Sequence, residues 1–272
     1  MSDRDGITPA AEPRDRSMRR VLTLILIGAI GGLLSGAFGV GGGIIMVPLL
    51  ITVAGFDQRR AAATSLVAII PAALVGSIGY ASAGQLDLTA AVLIAVGGVV
   101  GSLIGAGLLR VLPLRWLRWL FIALLVVITV RLFFELPSRD GVIIWNPLTI
   151  AGLIALGLVM GVASGLFGIG GGVIVVPVLV ALFGAGDLIA KGTSLVAILP
   201  GAVIGTIANA RAGLVDVIDG SITGIAAAGA SFGGVAIASA LSARLATILF
   251  SVLLLVATVQ LVIRAIRAER SR

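Results

Sequence analysis

A fourteen-residue stretch, SGAFGVGGGIIMVP at Ser35 to Pro48, returns 129 residues later as SGLFGIGGGVIVVP at Ser164 to Pro177, with 10 of the 14 positions identical. The same offset, without a gap, places TSLVAIIP (Thr64 to Pro71) on TSLVAILP (Thr193 to Pro200), identical at 7 of 8 positions. It also pairs Gly84 with Gly213, Asp87 with Asp216 and Arg115 with Arg244. Two motifs agreeing at one offset make the chain two copies of a unit of about 129 residues. Any fold open to this chain must be built twice.

The unit is made of apolar runs cut by short polar punctuation. In the first copy they are Val21 to Phe38, Ile44 to Ala54, Thr64 to Ser82, Leu88 to Leu109 and Trp116 to Val130; in the second, Leu148 to Phe167, Val173 to Phe183, Thr193 to Ala208, Val217 to Leu241 and Leu245 to Ile263. Most match the roughly 20 residues that carry a helix across about 30 Å of hydrocarbon. Ile44 to Ala54 and Val173 to Phe183 do not: each has 11 residues, follows a glycine cluster, and as helix reaches only about 17 Å. With 59% hydrophobic and 11% charged residues, the chain cannot clothe a water-facing surface. The expected class is an all-α membrane protein.

Charge sets the sidedness. If each glycine cluster is a turn, each copy has five segments, an odd number, and the second copy lies upside down. A cytoplasmic amino terminus then puts 15 Lys/Arg inside and 4 outside; joining the first two segments into one crossing lowers the contrast to 12 against 7. The positive-inside rule therefore favours two inverted repeats, each a helical hairpin with a Gly-rich tip followed by three membrane-spanning helices. Residues 1–18, polar and holding two prolines, predict a disordered cytoplasmic tail rather than a secretory signal. The first transmembrane repeat covers 19–136, a linker 137–147, the second repeat 148–265 and a second cytoplasmic tail 266–272. The net charge of +7 reads as this orientation signal and not as a nucleic-acid face.

The hairpin tips carry the chemistry. Broken helices at corresponding places in two inverted halves point to a transporter's binding site. Gly41, Gly42 and Gly43, and Gly170, Gly171 and Gly172, would offer free N–H groups at a helix start, where the dipole also favours negative charge. Ser35, Ser164, Thr64, Ser65, Thr193 and Ser194 would add hydroxyl donors to a small oxyanion. Asn209 joins them because it breaks the internal symmetry against Tyr80. The competing account is structural: glycines for close helix packing, hydroxyls bonded back to their own helices. Neither cluster has a P-loop or dinucleotide pattern. Asp87 and Asp216 read as helix N-caps, and Arg115, Trp116, Arg118 and Trp119 as interfacial anchors.

All 12 carboxylates lie in tails, loops or segment ends, and the chain has no His and no Cys. No metal, cofactor or catalytic residue is expected, and a proton either uses Asp87 and Asp216 or travels on the substrate. An anion channel, a membrane assembly partner without flux and a membrane enzyme are the other classes.

The paired stretches GAFGVGGGIIMVP and GLFGIGGGVIVVP, each followed at the same distance by TSLVAI and a proline, resemble the TauE/SafE sulfite exporter family, over nearly all of Leu26 to Ile263. The resemblance implies a multi-pass permease of the bacterial inner membrane, with both termini cytoplasmic. Its cargo would be sulfite, thiosulfate, a sulfonate or another small sulfur-containing anion, its partners that anion and the lipid bilayer, with a homo-oligomer left open and no nucleic acid.

Overall fold

The computed structural model describes residues 17–133 and 141–270. Among these the chain forms ten α-helices: α1 (Met18–Phe38), α2 (Gly43–Thr52), α3 (Gln58–Ser82), α4 (Leu88–Val111), α5 (Leu114–Phe133), α6 (Pro147–Phe167), α7 (Gly172–Ala181), α8 (Asp187–Arg211), α9 (Val217–Ala240) and α10 (Ala243–Arg270). The bounds of α1 to α4 recur in α6 to α9 at the 129-residue offset, and α5 and α10 open at matching positions. The expected amino-terminal tail falls outside the described residues except for Ser17 and Met18, and the linker is described only from residue 141. α10 continues to Arg270, so the second tail is helical as far as it is described.

Seven helices, α1, α3, α4, α6, α8, α9 and α10, are long and apolar enough to cross a membrane. The short arms α2 and α7 have 10 residues each. Leu26, Val96, Val127, Ile225 and Val252 are all at least half exposed, each on a different helix. An apolar surface spread over so many helices suits lipid, not water.

Lipid offers no hydrophobic drive between helices, so contact depends on close backbone approach. Glycines four residues apart provide it. A Cβ on Gly97, Gly101 or Gly105 of α4 would fall 2.0, 2.2 or 2.3 Å from the carbonyl oxygens of Ile154, Leu158 and Val162 of α6. On α1, a Cβ on Gly28, Gly32 or Gly36 would fall 2.1, 2.0 or 2.0 Å from those of Thr223, Ala227 and Ser231 of α9. Residue numbers rise together in both sets, so each pair runs parallel. Gly32→Val should therefore cost about 3 kcal/mol or more and lower the melting temperature in detergent. Gly229→Ala, with nothing within 4 Å, should leave it unchanged or slightly raised.

Three arginines tie one face together. Arg20 of α1 pairs with Asp219 of α9 and lies 5.5 Å over the Phe56 ring. Arg59 of α3 donates to the Leu112 carbonyl after α4 at 2.6 Å, and Arg110 of α4 donates to the Ala208 carbonyl of α8 at 3.0 Å. The starts of α1, α3 and α9 and the ends of α4 and α8 thus share that face. α3 and α8, which carry the same TSLVAI motif, run in opposite directions.

Candidate functional site

Each glycine cluster breaks the chain between a long and a short helix. α1 ends because Gly39 turns left-handed, at φ 69°, and returns its N–H to the Ser35 carbonyl at 2.8 Å; Gly168 does the same after α6, at φ 68° onto Ser164. α2 and α7 then start behind Gly42 and Gly171, at φ 76° and 84°, with no side-chain cap. Only glycine adopts three such conformations within four residues without strain. The N–H groups of residues 40–44 and 169–173 meet no hydrogen-bond acceptor among the described residues. Every residue of both tips is buried.

The tips meet each other. A Cβ on Gly43 would lie 2.3 Å from the Gly168 carbonyl oxygen, one on Gly172 2.4 Å from that of Gly39, and one on Gly41 3.8 Å from the Gly170 Cα. Ile69 of α3 and Ile198 of α8, partners in the internal repeat, press on this junction: a Cβ on Gly170 would stand 3.4 Å from the Cδ1 of each. Sequence reasoning missed these two isoleucines, since one more apolar residue in an apolar helix carries no signal.

The hydroxyls of the TSLVAI motifs serve the protein's own backbone. Ser65 of α3 donates to the Gly168 carbonyl at 2.6 Å, and Ser194 of α8 donates to the Gly39 carbonyl. Each serine thus holds the tip of the other half. Thr64 accepts from the Asp216 N–H at 3.1 Å and Thr193 from the Asp87 N–H at 3.0 Å, so the threonines seat the turns before α9 and α4. Ser65→Ala would leave a buried glycine carbonyl unpaired, a loss of about 1–3 kcal/mol, visible as a lower melting temperature. Asp87 and Asp216 cap their helices as expected, accepting from Ala90 at 2.9 Å and Asp219 at 3.2 Å.

The remaining candidates differ. Ser35 and Ser164 are buried one turn before the tips with hydroxyls that have no partner, and Asn209 is wholly buried with neither amide atom paired. Sequence position alone hid the burial of two carboxylates. Asp187, in the first turn of α8, is 3.1 Å from the Nζ of Lys191, the only lysine of the chain, and Asp219 pairs with Arg20. Lys191 also backs the first tip, where a Cβ on Gly39 would come 2.5 Å from its Cα. The spacing of four residues on one helix was the available signal.

A family model described as sulfite exporter TauE/SafE matches residues 4–132 and 153–272. A probable membrane transporter protein of Xylella fastidiosa (strain 9a5c) is 30% identical over 222 residues, 76% of this chain and 83% of its own. The probable membrane transporter protein YunE of Bacillus subtilis (strain 168) is 27% identical over 216 residues, covering 71% of this chain and 79% of its own. The probable membrane transporter protein MamO of Magnetospirillum gryphiswaldense is 32% identical over 115 residues, 39% of this chain and 18% of its own. No solved structure matches the chain.

Proposed function

The chain belongs to the TauE/SafE sulfite exporter family of membrane transporters, and on that premise we propose that it is an inner-membrane permease that exports sulfite or a related organosulfur anion, with no catalytic role. The observation that carries this reading is the pair of facing tips with their unpartnered N–H groups at 40–44 and 169–173. Two helix starts aim their positive dipole ends at one place, and convergent backbone N–H groups form an anion cradle.

The serine hydroxyls sharpen the selectivity. By covering the carbonyls of Gly39 and Gly168, Ser194 and Ser65 withdraw acceptors that would repel an anion. Gly41 to Gly43 and Gly170 to Gly172 are then the binding backbone, Ser35 and Ser164 its adjacent free donors, and Thr64, Ser65, Thr193 and Ser194 positioning residues. Among the described residues, the buried carboxylates Asp187 and Asp219 are each matched by a cation, which limits their repulsion of the cargo.

The opposed directions of α3 and α8 support an inverted repeat, with the amino terminus cytoplasmic by the arginine distribution. Ile69 and Ile198 close the junction from two sides, which favours a carrier that must rearrange over an open channel. Pro71 and Pro200 stand two residues further on, each deleting a helix hydrogen bond where α3 and α8 would bend. Alternating access then exposes the tips first to one face and next to the other.

Purified protein in liposomes should move labelled sulfite, thiosulfate or a sulfonate with a saturable rate. Flux no greater than that of empty liposomes across the panel would overturn the anion reading, and flux that never saturates would replace the carrier by a channel.

A further inference from the structure

We propose that Asn209 contacts the cargo directly, and that the cargo is a partly protonated oxyanion of the hydrogensulfite type; this rests on the permease reading above. Asn209 is wholly buried, and neither its Oδ1 nor its Nδ2 has a hydrogen-bond partner. Its location ties it to the second tip. The Asn209 carbonyl accepts from the Leu214 N–H at 3.1 Å, and two residues later the Asp216 N–H donates to Thr64 of α3. The next residue, Ser65, holds the Gly168 carbonyl. The turn that follows α8 therefore reaches α3 at Thr64, one residue before the serine that holds the second tip.

Other polar atoms on these elements are left equally unpaired. Thr206, three residues before Asn209 on α8, has a buried hydroxyl without a partner, as do Ser164 before the second tip and the amide Nε2 of Gln58 at the start of α3. The positions that correspond to these in the internal repeat are mostly paired. At the position of Asn209 the first repeat has Tyr80, whose hydroxyl donates to the Gly36 carbonyl at 2.7 Å. At the position of Gln58 the second repeat has Asp187 in its ion pair with Lys191. Ser77, the mate of Thr206, donates to the Leu74 carbonyl at 2.8 Å, and the hydroxyl of Ser35, the mate of Ser164, has no partner among the described residues. One set of positions is filled by a ring and an ion pair, while the other keeps a short amide where its counterpart has a tyrosine.

Unpaired buried amides are costly, so such a place favours an occupant with complementary groups. An asparagine amide makes two demands: its NH2 donates, and its oxygen accepts. A fully deprotonated oxyanion meets only the first and sets a negative oxygen against Oδ1. An oxyanion that still carries one O–H meets both. The proton then crosses on the cargo, which fits the ion pairing of Asp187 and Asp219, the buried carboxylates among the described residues.

The test uses the full chain, with labelled sulfite flux in liposomes and thermal shift in detergent, across pH values where hydrogensulfite or sulfite dominates. Wild-type flux and shift should follow the hydrogensulfite fraction. Asn209→Leu should keep or raise the melting temperature of the ligand-free protein while losing about tenfold or more of the sulfite affinity, and Asn209→Tyr should block flux in the image of Tyr80. Wild-type flux in Asn209→Leu would show water alone at the site and overturn the proposal, as would a wild-type pH profile that follows the dianion. The pH profile stands even if neither variant folds. No anion-dependent shift or flux in the wild type would instead overturn the permease reading itself.

Discussion

Gly170→Ala is expected to fold, insert and lose nearly all anion flux. The added Cβ meets nothing closer than 3.4 Å, so the helices need not separate. The cost to stability comes from the left-handed backbone, φ 77°, and is about 1–2 kcal/mol. What changes is the tip: a methyl stands between the two glycine turns, among the unpartnered N–H groups at 169–173. A cradle that relies on close approach of an ion to the main chain cannot tolerate it. Flux in liposomes should fall at least about a hundredfold, the scale of losing a set of charge-directed N–H donors. Size-exclusion and thermal melting report whether the fold survived. A folded variant with unchanged flux would move the glycines to a packing role. Gly171→Leu is a harsher companion, because its first side-chain atom would already lie 2.3 Å from Met160 Cγ, and it should lose flux and stability together.

Lys191→Met is expected to destabilise the protein by about 3–5 kcal/mol, because Asp187 would remain as a buried charge without its cation. Both side chains are only 6% and 5% exposed, so water cannot make up the loss. Asp187→Asn together with Lys191→Met should recover most of the melting temperature, since a neutral pair removes both desolvation costs. The backbone contact with Gly39 survives either way. If the double variant is stable and also transports, the ion pair serves the fold; if it is stable and inert, the charge beside the first tip serves the cargo. Arg20 and Asp219 offer a milder comparison, since the Arg20 side chain is 20% exposed.

Helices and their limits were legible in the amino-acid order because lipid simplifies the problem. An apolar run of about 20 residues has one stable answer there, and Gly39 and Gly168 stop theirs by their backbone freedom. Asp87 and Asp216 were legible as caps because a cap bonds three residues away along the same chain. The hydroxyls were not. Ser65 and Ser194 were equally plausible as ligand donors or as helix-bonded groups, and their actual acceptors lie 103 and 155 residues away in sequence. Asp187 gave a similar lesson: sequence placed it only among carboxylates of tails, loops and segment ends, yet the packing of α8 buries it and Lys191 answers it.

Amino-acid order alone carries the membrane class, the doubling of the unit at 129 residues and the location of the glycine breaks. These follow from local properties: transfer of apolar residues into lipid, and the few backbone angles open to side chains larger than glycine. Folding in three dimensions is what brings the two breaks together, holds each by a serine from the other half, and gives Tyr80 an acceptor while the Asn209 side chain has none. Those are outcomes of packing between distant segments, and no local preference encodes which carbonyl a hydroxyl will meet.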